Sequence, residues 1–321
     1  MTKGQKRKRF RSMLVPHTGK DLQHAPLVET AWLVDGMIPS TGVTFLHGPT
    51  TAGKSALTWA IGNAVQTGNP LFGMPTVKAK VLFVSLDMAE SPLKMRWFGT
   101  KDKPKPPSAR FNPEFNCTFP PMFPFIEDNE DGDIFRDEFK DSIKPYGLII
   151  IDALGRFVGD TISGPDATRC YQYLRQVLGE KACILIHHDN KKDEDYSGTK
   201  RWIDFAQHQL HLKPPTPGSI MRTLKQGKSQ LAADRDEPWK LMIDSDGKIC
   251  LYDEAQIARA RLKKAMKLAR RDIPGFNKLK GRKRDKALGE VIGKSDRHVR
   301  TLRKKARLKE PKLYLVGGYV P

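Results

Sequence analysis

Residues 48–55 read Gly48-Pro49-Thr50-Thr51-Ala52-Gly53-Lys54-Ser55, and this octapeptide decides the fold class of the chain. It matches the pattern G-x-x-x-x-G-K-S/T. The two glycines let the backbone pass close to phosphate oxygens, and the amides that follow form an anion-binding nest. In this pattern the lysine reaches the β- and γ-phosphates, and the last hydroxyl binds Mg²⁺. The octapeptide therefore predicts a nucleoside triphosphate site to which all eight residues contribute.

The segments on either side of the octapeptide support this interpretation. Residues 42–47 have the apolar composition of a short buried strand, and residues 56–65 that of a helix whose positive end faces the phosphates. Further strand-like runs follow at 80–86, 147–151, 182–187, 208–212, 220–224, 239–243 and 248–251. Because helical stretches alternate with the first of these runs, the sequence predicts an α/β fold with a mostly parallel sheet covered on both faces.

Acidic residues follow two of the predicted strands. Asp152 ends the run Leu-Ile-Ile-Ile, where its carboxylate would emerge beside the phosphates and bind Mg²⁺; a lone aspartate in this place is more often a cap. Asp87 and Glu90 follow the strand at 80–86, and either could polarise the attacking water. Asp87 is the first choice because it lies nearer the strand end. Its alternative role is to cap a helix at 91–97.

Two histidines end a third predicted strand. Either His187 or His188 could contact the γ-phosphate and report its presence to the following loop. Adjacent side chains on a strand point to opposite faces, so the two are not expected to bind one metal ion together. The polar segment that follows contains four cations that either contact single-stranded DNA or are simply solvated: Lys191, Lys192, Lys200 and Arg201.

The net charge of +20 is concentrated at the two ends of the chain. Residues 1–20 carry seven Lys or Arg and no acid, and residues 255–321 carry 22 Lys or Arg against five Asp or Glu, whereas residues 21–254 are slightly acidic. We therefore predict a flexible basic arm at 1–26, an ATPase domain at 27–254 and a basic domain at 255–321. Cationic ends attract nucleic-acid backbones, although a solubilising tail or a membrane-surface patch would have the same composition.

The C-terminal segment has the pattern of a winged helix-turn-helix. Helices are expected at 256–272, 286–292 and 296–307, with Ser295 capping the third and a two-stranded wing at 313–320. The third helix would enter the major groove of duplex DNA. Its candidate DNA contacts are Arg297, His298, Arg300, Arg303 and Lys304. The alternative is a basic helical hairpin that docks a second subunit.

Cysteine usage and hydropathy limit the cellular setting. The four cysteines, at 117, 170, 183 and 250, are scattered without a C-x-x-C pair, which argues against a zinc site and fits a reducing cytoplasm. No apolar run is long enough to cross a membrane, and the basic N-terminus is not followed by an apolar signal segment. We also expect an irregular surface segment at 101–125 and a solvated acidic loop at 127–133.

The order of these segments resembles that of the RecA-like ATPases, and within them the hexameric replicative helicases of plasmids and phages, the RepA type. The resemblance covers about residues 27–252 and includes Gly-Met-Ile-Pro at 36–39, the octapeptide, Ser-Leu-Asp-Met at 85–88, and the strands that end in Asp152 and His188. It implies a ring, usually of six subunits, with ATP between neighbours and single-stranded DNA in the pore. It also implies Mg²⁺ on Asp152, Asp87 as the water-activating acid and His187 or His188 as sensor.

The resemblance further implies a basic finger that reaches the nucleotide of the neighbouring subunit. The candidates here are Arg222, Lys225 and Lys228. Two departures stand out: the family usually has Glu at the position of Asp87, and an Arg is common where this segment has Lys. The C-terminal winged module is an addition to the minimal plasmid helicase.

The function that the sequence predicts is an ATP-dependent DNA helicase or translocase that acts in plasmid or phage replication. It would use ATP and Mg²⁺, bind single-stranded and duplex DNA, and meet other replication proteins. The alternatives are an ATP-switched origin-binding or regulatory protein and a recombinase-like filament ATPase. A small-molecule P-loop kinase fits the basic ends least well.

Overall fold

A computed structural model describes most of the chain. The described residues are 4, 5, 7, 30–98, 102, 114, 116–120, 125–154, 164–189, 204–216, 219–230, 237–243, 248–252, 254–274, 276–291 and 293–306. The chain divides into two units, Met1–Ala31 and Trp32–Pro321, and the elements named below belong to the second. The predicted domain boundaries at 26/27 and 254/255 remain predictions.

Strands and helices alternate through most of the second unit. The strands are β1 (Trp32–Val34), β2 (Ile38–Pro39), β3 (Gly42–Gly48), β4 (Val81–Ser85), β5 (Asn116–Thr118), β6 (Leu148–Asp152), β7 (Ala182–His188), β8 (His208–Lys213), β9 (Arg222–Ser229), β10 (Trp239–Ile243) and β11 (Ile249–Leu251). The helices are α1 (Lys54–Thr67), α2 (Glu90–Phe98), α3 (Glu130–Ser142), α4 (Gly164–Leu178), α5 (Glu254–Asp272), α6 (Gly281–Val291) and α7 (Asp296–Ala306), with a 3₁₀ turn at Phe276–Lys278.

One large sheet organises the unit. Among the described residues its strands follow the order β11-β10-β9-β8-β3-β7-β6-β4-β5, and the pairs from β8 to β5 are all parallel. The remaining pairs, which join β8, β9, β10 and β11, are antiparallel. The predicted fold class, α/β with a mostly parallel sheet, is confirmed. Since β3 lies near the centre, the residues that follow it emerge at the middle of the carboxyl edge.

Helices cover both faces of the sheet because the strands are apolar on both sides. On one face α1 packs on β3, β4 and β6, and Trp59 of α1 stacks on Phe83 with ring centroids 4.1 Å apart. On the other face, Phe139 of α3 and Leu174 of α4 belong to the same buried cluster as Phe45 of β3. Each face buries a continuous apolar layer, which is the arrangement expected for parallel strands.

The predicted strands and helices are found with modest shifts in their ends, and two predictions in the first half of the chain were wrong. The acidic stretch at 127–133 is not a loop throughout: α3 begins at Glu130, and the Asn129 side chain caps it by accepting from Gly132 N at 2.8 Å. The acids of its first turn favour the positive helix end. Within the irregular segment predicted at 101–125, residues Asn116–Thr118 form the edge strand β5.

The basic C-terminal segment forms three helices around a small core. Ala265 and Ala269 of α5, Phe276, Leu288 of α6 and Val299 of α7 are buried together. All three predicted helices are present, but α6 begins five residues earlier than expected, at Gly281, which has a left-handed φ of 53°. The predicted wing at 313–320 lies outside the described residues, so the winged motif remains a prediction. No described helix has the length and apolar character needed to cross a bilayer.

Candidate active site

The octapeptide 48–55, called the P-loop below, turns between the end of β3 and the start of α1. Gly48 is required by a close main-chain contact, because a Cβ there would lie 2.3 Å from Leu212 O, whereas a Cβ on Gly53 would meet only the movable Cδ1 of Ile243 at 2.7 Å. Gly53 also has a left-handed φ of 100° and forms the N-cap of α1 without a side-chain cap. The first amides of α1 are thus oriented toward the loop, which suits an anion.

Lys54 is folded onto the loop that carries it. Its Nζ donates to Gly48 O at 2.5 Å and to Pro49 O at 2.9 Å, and it lies 3.0 Å from His188 Nδ1. Burial lowers the pKa of Lys54 to about 8, against the opposing effect of the carboxylates of Asp189, Asp152 and Asp87. A phosphate would replace these neutral partners with a formal negative charge, so the ammonium is positioned for an anionic ligand.

Ser55 and Asp152 meet at the place predicted for Mg²⁺. Ser55 Oγ donates to Asp152 Oδ2 at 3.2 Å, although 97 residues separate them in sequence. A hydroxyl and a carboxylate at this distance supply oxygen ligands of the kind that Mg²⁺ prefers, and the ion usually keeps waters and phosphate oxygens as its other ligands. The donor set therefore fits Mg²⁺.

Asp87 is placed closer to the phosphate site than Glu90. The backbone N–H groups of Leu86 and Asp87 donate to Asp152 O at 2.6 and 3.2 Å, which ties the end of β4 to the end of β6. The Asp87 carboxylate also acts on the charges of both Lys54 and His188. Glu90 instead begins α2, where it forms an ion pair with Lys94. Of the two predicted acids, Asp87 is the one whose charge acts on the P-loop lysine, and its role toward the attacking water stays a prediction.

The two adjacent histidines point to opposite faces of β7, as predicted. His188 contacts the catalytic lysine candidate, and burial together with the Lys54 ammonium lowers its pKa. His187 is buried on the other face, with its ring centroid 5.7 Å from that of Phe45. Of this pair it is His188 that lies beside Lys54, and the sensor role stays a prediction.

The finger candidates lie on β9. Arg222 Nε donates to Ala52 O of its own P-loop at 2.8 Å, and burial lowers the pKa of this guanidinium. Lys225 is exposed and pairs in register with His211 of β8. Lys228 is described only as part of the strand. The structure thus brings Arg222 to the phosphate site of the same subunit, which is not the contact expected of a finger.

The predicted DNA-contacting residues of α7 divide into two groups. Arg297, His298, Arg300 and Lys304 are exposed. Arg303 instead forms an ion pair at 2.9 Å with Asp285, whose side chain is only 8% exposed, and so joins α7 to α6. The four cations predicted between β7 and β8, Lys191, Lys192, Lys200 and Arg201, lie outside the described residues.

A basic groove next to α7 was missed by the sequence analysis. It is a cavity of about 950 Å³ that includes the turn between α6 and α7. Its lining includes four cations and one acid: Arg282, Lys283, Lys286, Lys294 and Glu290. The early start of α6 places Arg282 and Lys283 on a helix, and the predicted helix at 286–292 had excluded them.

A buried polar cluster behind the P-loop was also missed. His47 and His211 lie in β3 and β8, Asp189 directly follows β7, and Asp189 lies 2.8 Å from His47 and 3.0 Å from His211. A sequence signal existed, because His47 directly precedes Gly48 and Asp189 directly follows the histidine pair. The pairing was not predictable, since 142 residues separate His47 from Asp189.

Comparisons with known proteins identify the family of this chain. The family of AAA domains named AAA_25 matches residues 8–194, which is more than half of the chain. A solved structure, the KaiC-like protein PH0186 from Pyrococcus horikoshii OT3, has 14% sequence identity and a TM-score of 0.46, with 71% of this chain and 99% of that chain covered. No curated protein matches. By its family match and the residues gathered at its P-loop, the chain belongs to the AAA_25 family and is a RecA-like P-loop ATPase.

Proposed function

We propose that this ATPase is a DNA motor, a helicase or translocase that acts in plasmid or phage replication as a ring of six subunits. One observation carries the proposal: the same chain combines a P-loop site equipped to respond to a γ-phosphate with a strongly cationic three-helix segment. A small-molecule kinase does not need a cationic three-helix segment, and a DNA-binding protein without ATPase activity does not need the P-loop site. The resemblance to plasmid helicases supports the choice of a motor.

The residues at the P-loop divide the work of ATP hydrolysis among them. Lys54 would leave the carbonyls of Gly48 and Pro49 to bind the β- and γ-phosphates, while Ser55 and Asp152 hold Mg²⁺. When bound, Mg²⁺ neutralises phosphate charge. Asp87 orients and polarises the attacking water from the end of β4. The place of His188, beside Lys54, allows it to distinguish ATP from ADP.

The basic helices supply the DNA-binding surface. Arg297, Arg300 and Lys304 are exposed on α7, and the groove cations of α6 and the following turn extend the same positive field. Such a field attracts the phosphate backbone without regard to sequence, and its affinity falls steeply with salt. Arg303 is not assigned to this surface, because its guanidinium forms an ion pair with Asp285 and joins α7 to α6.

Assembly would place a basic side chain of one subunit at the nucleotide of the next. With Arg222 bonded to Ala52 of its own chain, we assign this role to Lys225, which is exposed on β9. A cation that reaches the γ-phosphate from a neighbour stabilises charge in the transition state. Hydrolysis would then depend on subunit contact, as a ring motor requires.

The competing function is an ATP-switched DNA-binding protein, and the three-helix segment favours it as much as it favours a motor. In that case nucleotide binding would change the affinity for duplex without moving the protein along it. A recombinase-like filament would differ in assembly, and electron micrographs with a non-hydrolysable ATP analogue would show filaments rather than closed rings.

Strand displacement tests the proposal. A forked duplex with one labelled strand is incubated with wild-type protein, and displacement is expected only with hydrolysable ATP and not for Lys54→Ala. A paired charge reversal, Lys283→Glu with Lys286→Glu, should weaken duplex binding and its dependence on salt, whereas the matched exposed control Lys140→Glu on α3 should not. ATP hydrolysis without displacement, together with nucleotide-dependent duplex affinity, would refute the motor and establish the switch.

A further inference from the structure

Asp189 lies at the carboxyl end of β7, directly after His188. Its side chain is only 1% exposed, and two imidazoles surround it: His47 Nδ1 is 2.8 Å from Oδ1, and His211 Nε2 is 3.0 Å from Oδ2. The two rings stack with centroids 4.2 Å apart. The ends of β3, β7 and β8 are thus joined by one polar group of side chains, the His–Asp–His cluster.

Gln209 borders this cluster and contacts the His47 ring. Its Nε2 lies 3.0 Å from His47 Nε2 and can only donate, so His47 Nε2 accepts and the proton of the neutral ring is on Nδ1. His47 then donates from Nδ1 to Asp189, and His211 donates from Nε2. Burial alone would raise the pKa of Asp189, but the hydrogen bonds from His211 and His47 hold it well below its usual range.

The main chain of Asp189 connects the cluster to the P-loop. Asp189 N donates to Gly48 O at 3.1 Å, and the same oxygen accepts from Lys54 Nζ at 2.5 Å. The preceding residue, His188, contacts Lys54 through its ring. Any displacement of Asp189 would therefore move both the carbonyl and the imidazole that hold the catalytic lysine.

We infer that Asp189 is a positioning residue for ATP hydrolysis, which holds the first turn of the P-loop and the sensor His188 in place through its hydrogen bonds to His47 and His211. A buried ionised carboxylate is costly, and an apolar side chain would fill the same volume without that cost. What the carboxylate adds is a fixed link between β3, β7 and β8. The inference rests on the ATPase chemistry of the proposed function but not on the proposed DNA motor.

A metal ion is the competing occupant of the cluster. The three side chains offer ligand atoms within 4.8 Å of one another, and two imidazoles with one carboxylate form a set that zinc accepts. The hydrogen bond from Gln209 argues against an ion, because it leaves a proton on the His47 nitrogen that would have to bind it. Metal content is accordingly one outcome of the test.

The test compares ADP with the non-hydrolysable analogue AMP-PNP, without DNA. Asp189→Asn has nearly the same shape, but its amide cannot accept from both imidazoles. We expect the preference for AMP-PNP over ADP, and kcat for ATP, to fall about 10–100-fold while the Kd for ADP stays near wild type. His211→Ala should behave in the same way. His211→Gln should recover much of the loss, because its amide N–H can still donate to Asp189.

His208→Ala is the matched control, since His208 is a buried histidine of the same strand that bonds Ser229 rather than the cluster. It should lower thermal stability and leave the preference for AMP-PNP unchanged. The inference is overturned if Asp189→Asn weakens ADP and AMP-PNP equally, if it changes neither, or if His211→Gln recovers nothing. One equivalent of zinc in the purified protein, lost in His211→Ala, would also overturn it. Because ligand preference is measured without turnover, an inactive wild type would refute the proposed ATPase chemistry while the cluster is still tested.

Discussion

Replacing Arg303 with methionine tests whether this residue stabilises the C-terminal helices or contacts DNA. Arg303→Met keeps most of the aliphatic stem and removes the charge, so Asp285 remains as a carboxylate 8% exposed without its cation. Breaking a buried ion pair from one side costs about 3–5 kcal/mol. Arg303 itself is 33% exposed, and water can partly replace it, so we expect the lower value of about 2–3 kcal/mol.

The core of the three C-terminal helices is small, because three of its six buried residues are alanines. A loss of this size is therefore a large part of its stability. For a segment of this size that unfolds separately from the sheet, a loss of about 2 kcal/mol lowers the Tm by roughly 10 °C. Hydrogen exchange on the full-length chain is the suitable assay, because it reports α5, α6 and α7 separately from the sheet. The amides of Leu288 and Val299 should lose protection in Arg303→Met, and those of β6 should not.

The double variant Asp285→Leu with Arg303→Met separates stability from DNA contact. Replacing both charges with apolar side chains is often neutral or stabilising, so protection in α6 and α7 should return. If Arg303 acts only through Asp285, duplex affinity should return with it. Restored protection with duplex binding still weak would refute this reasoning and make Arg303 a DNA contact, as the sequence predicted.

Three further predictions concern the ATPase core. Lys54→Ala should reduce ATP turnover by about 10²–10³-fold in a steady-state phosphate assay, with the unfolding midpoint little changed. If Arg222 serves its own P-loop, then in mixtures of Arg222→Ala with wild type the activity should be proportional to the wild-type fraction, whereas a finger acting on the neighbour gives a curved dependence. Burial lowers the pKa of His208 from 6.5 to about 4, so its contribution to stability is complete above pH 6.5 and is lost as pH falls toward 4. Urea unfolding should show a loss of up to about 3 kcal/mol across this range, and a smaller one in His208→Gln.

The parts of the site that sequence could predict are those set by local chemistry. The P-loop needs glycine at both bends whatever the rest of the chain does, and the apolar run before Asp152 directs that carboxylate to the sheet edge. Alternation along a strand also predicted that His187 and His188 would separate. In each of these cases, the residues next to the predicted one in sequence are enough to explain where its side chain lies.

The contacts that the sequence did not reveal depend on distant partners. Which histidine faces the lysine depends on which side of the sheet α1 covers, and no residue near position 187 encodes this. Arg303 has the pattern of a solvated recognition-helix cation until Asp285, on the preceding helix, is placed opposite it. The His–Asp–His cluster depends on the order of β3, β7 and β8 in the sheet, which the order of strands in the sequence does not reveal.

The antiparallel edge of the sheet has a mechanical consequence. β9 pairs with β8 and β10 through main-chain hydrogen bonds. Its Arg222 side chain also donates to Ala52 O, next to the second glycine of the P-loop. At the near bend, the main chain of Leu212 in β8 lies so close to Gly48 that a Cβ there would be 2.3 Å from Leu212 O. A displacement of β8 and β9 would therefore move both ends of the P-loop at once. Phosphate binding could be strengthened or weakened in this way without any further element that connects the two ends.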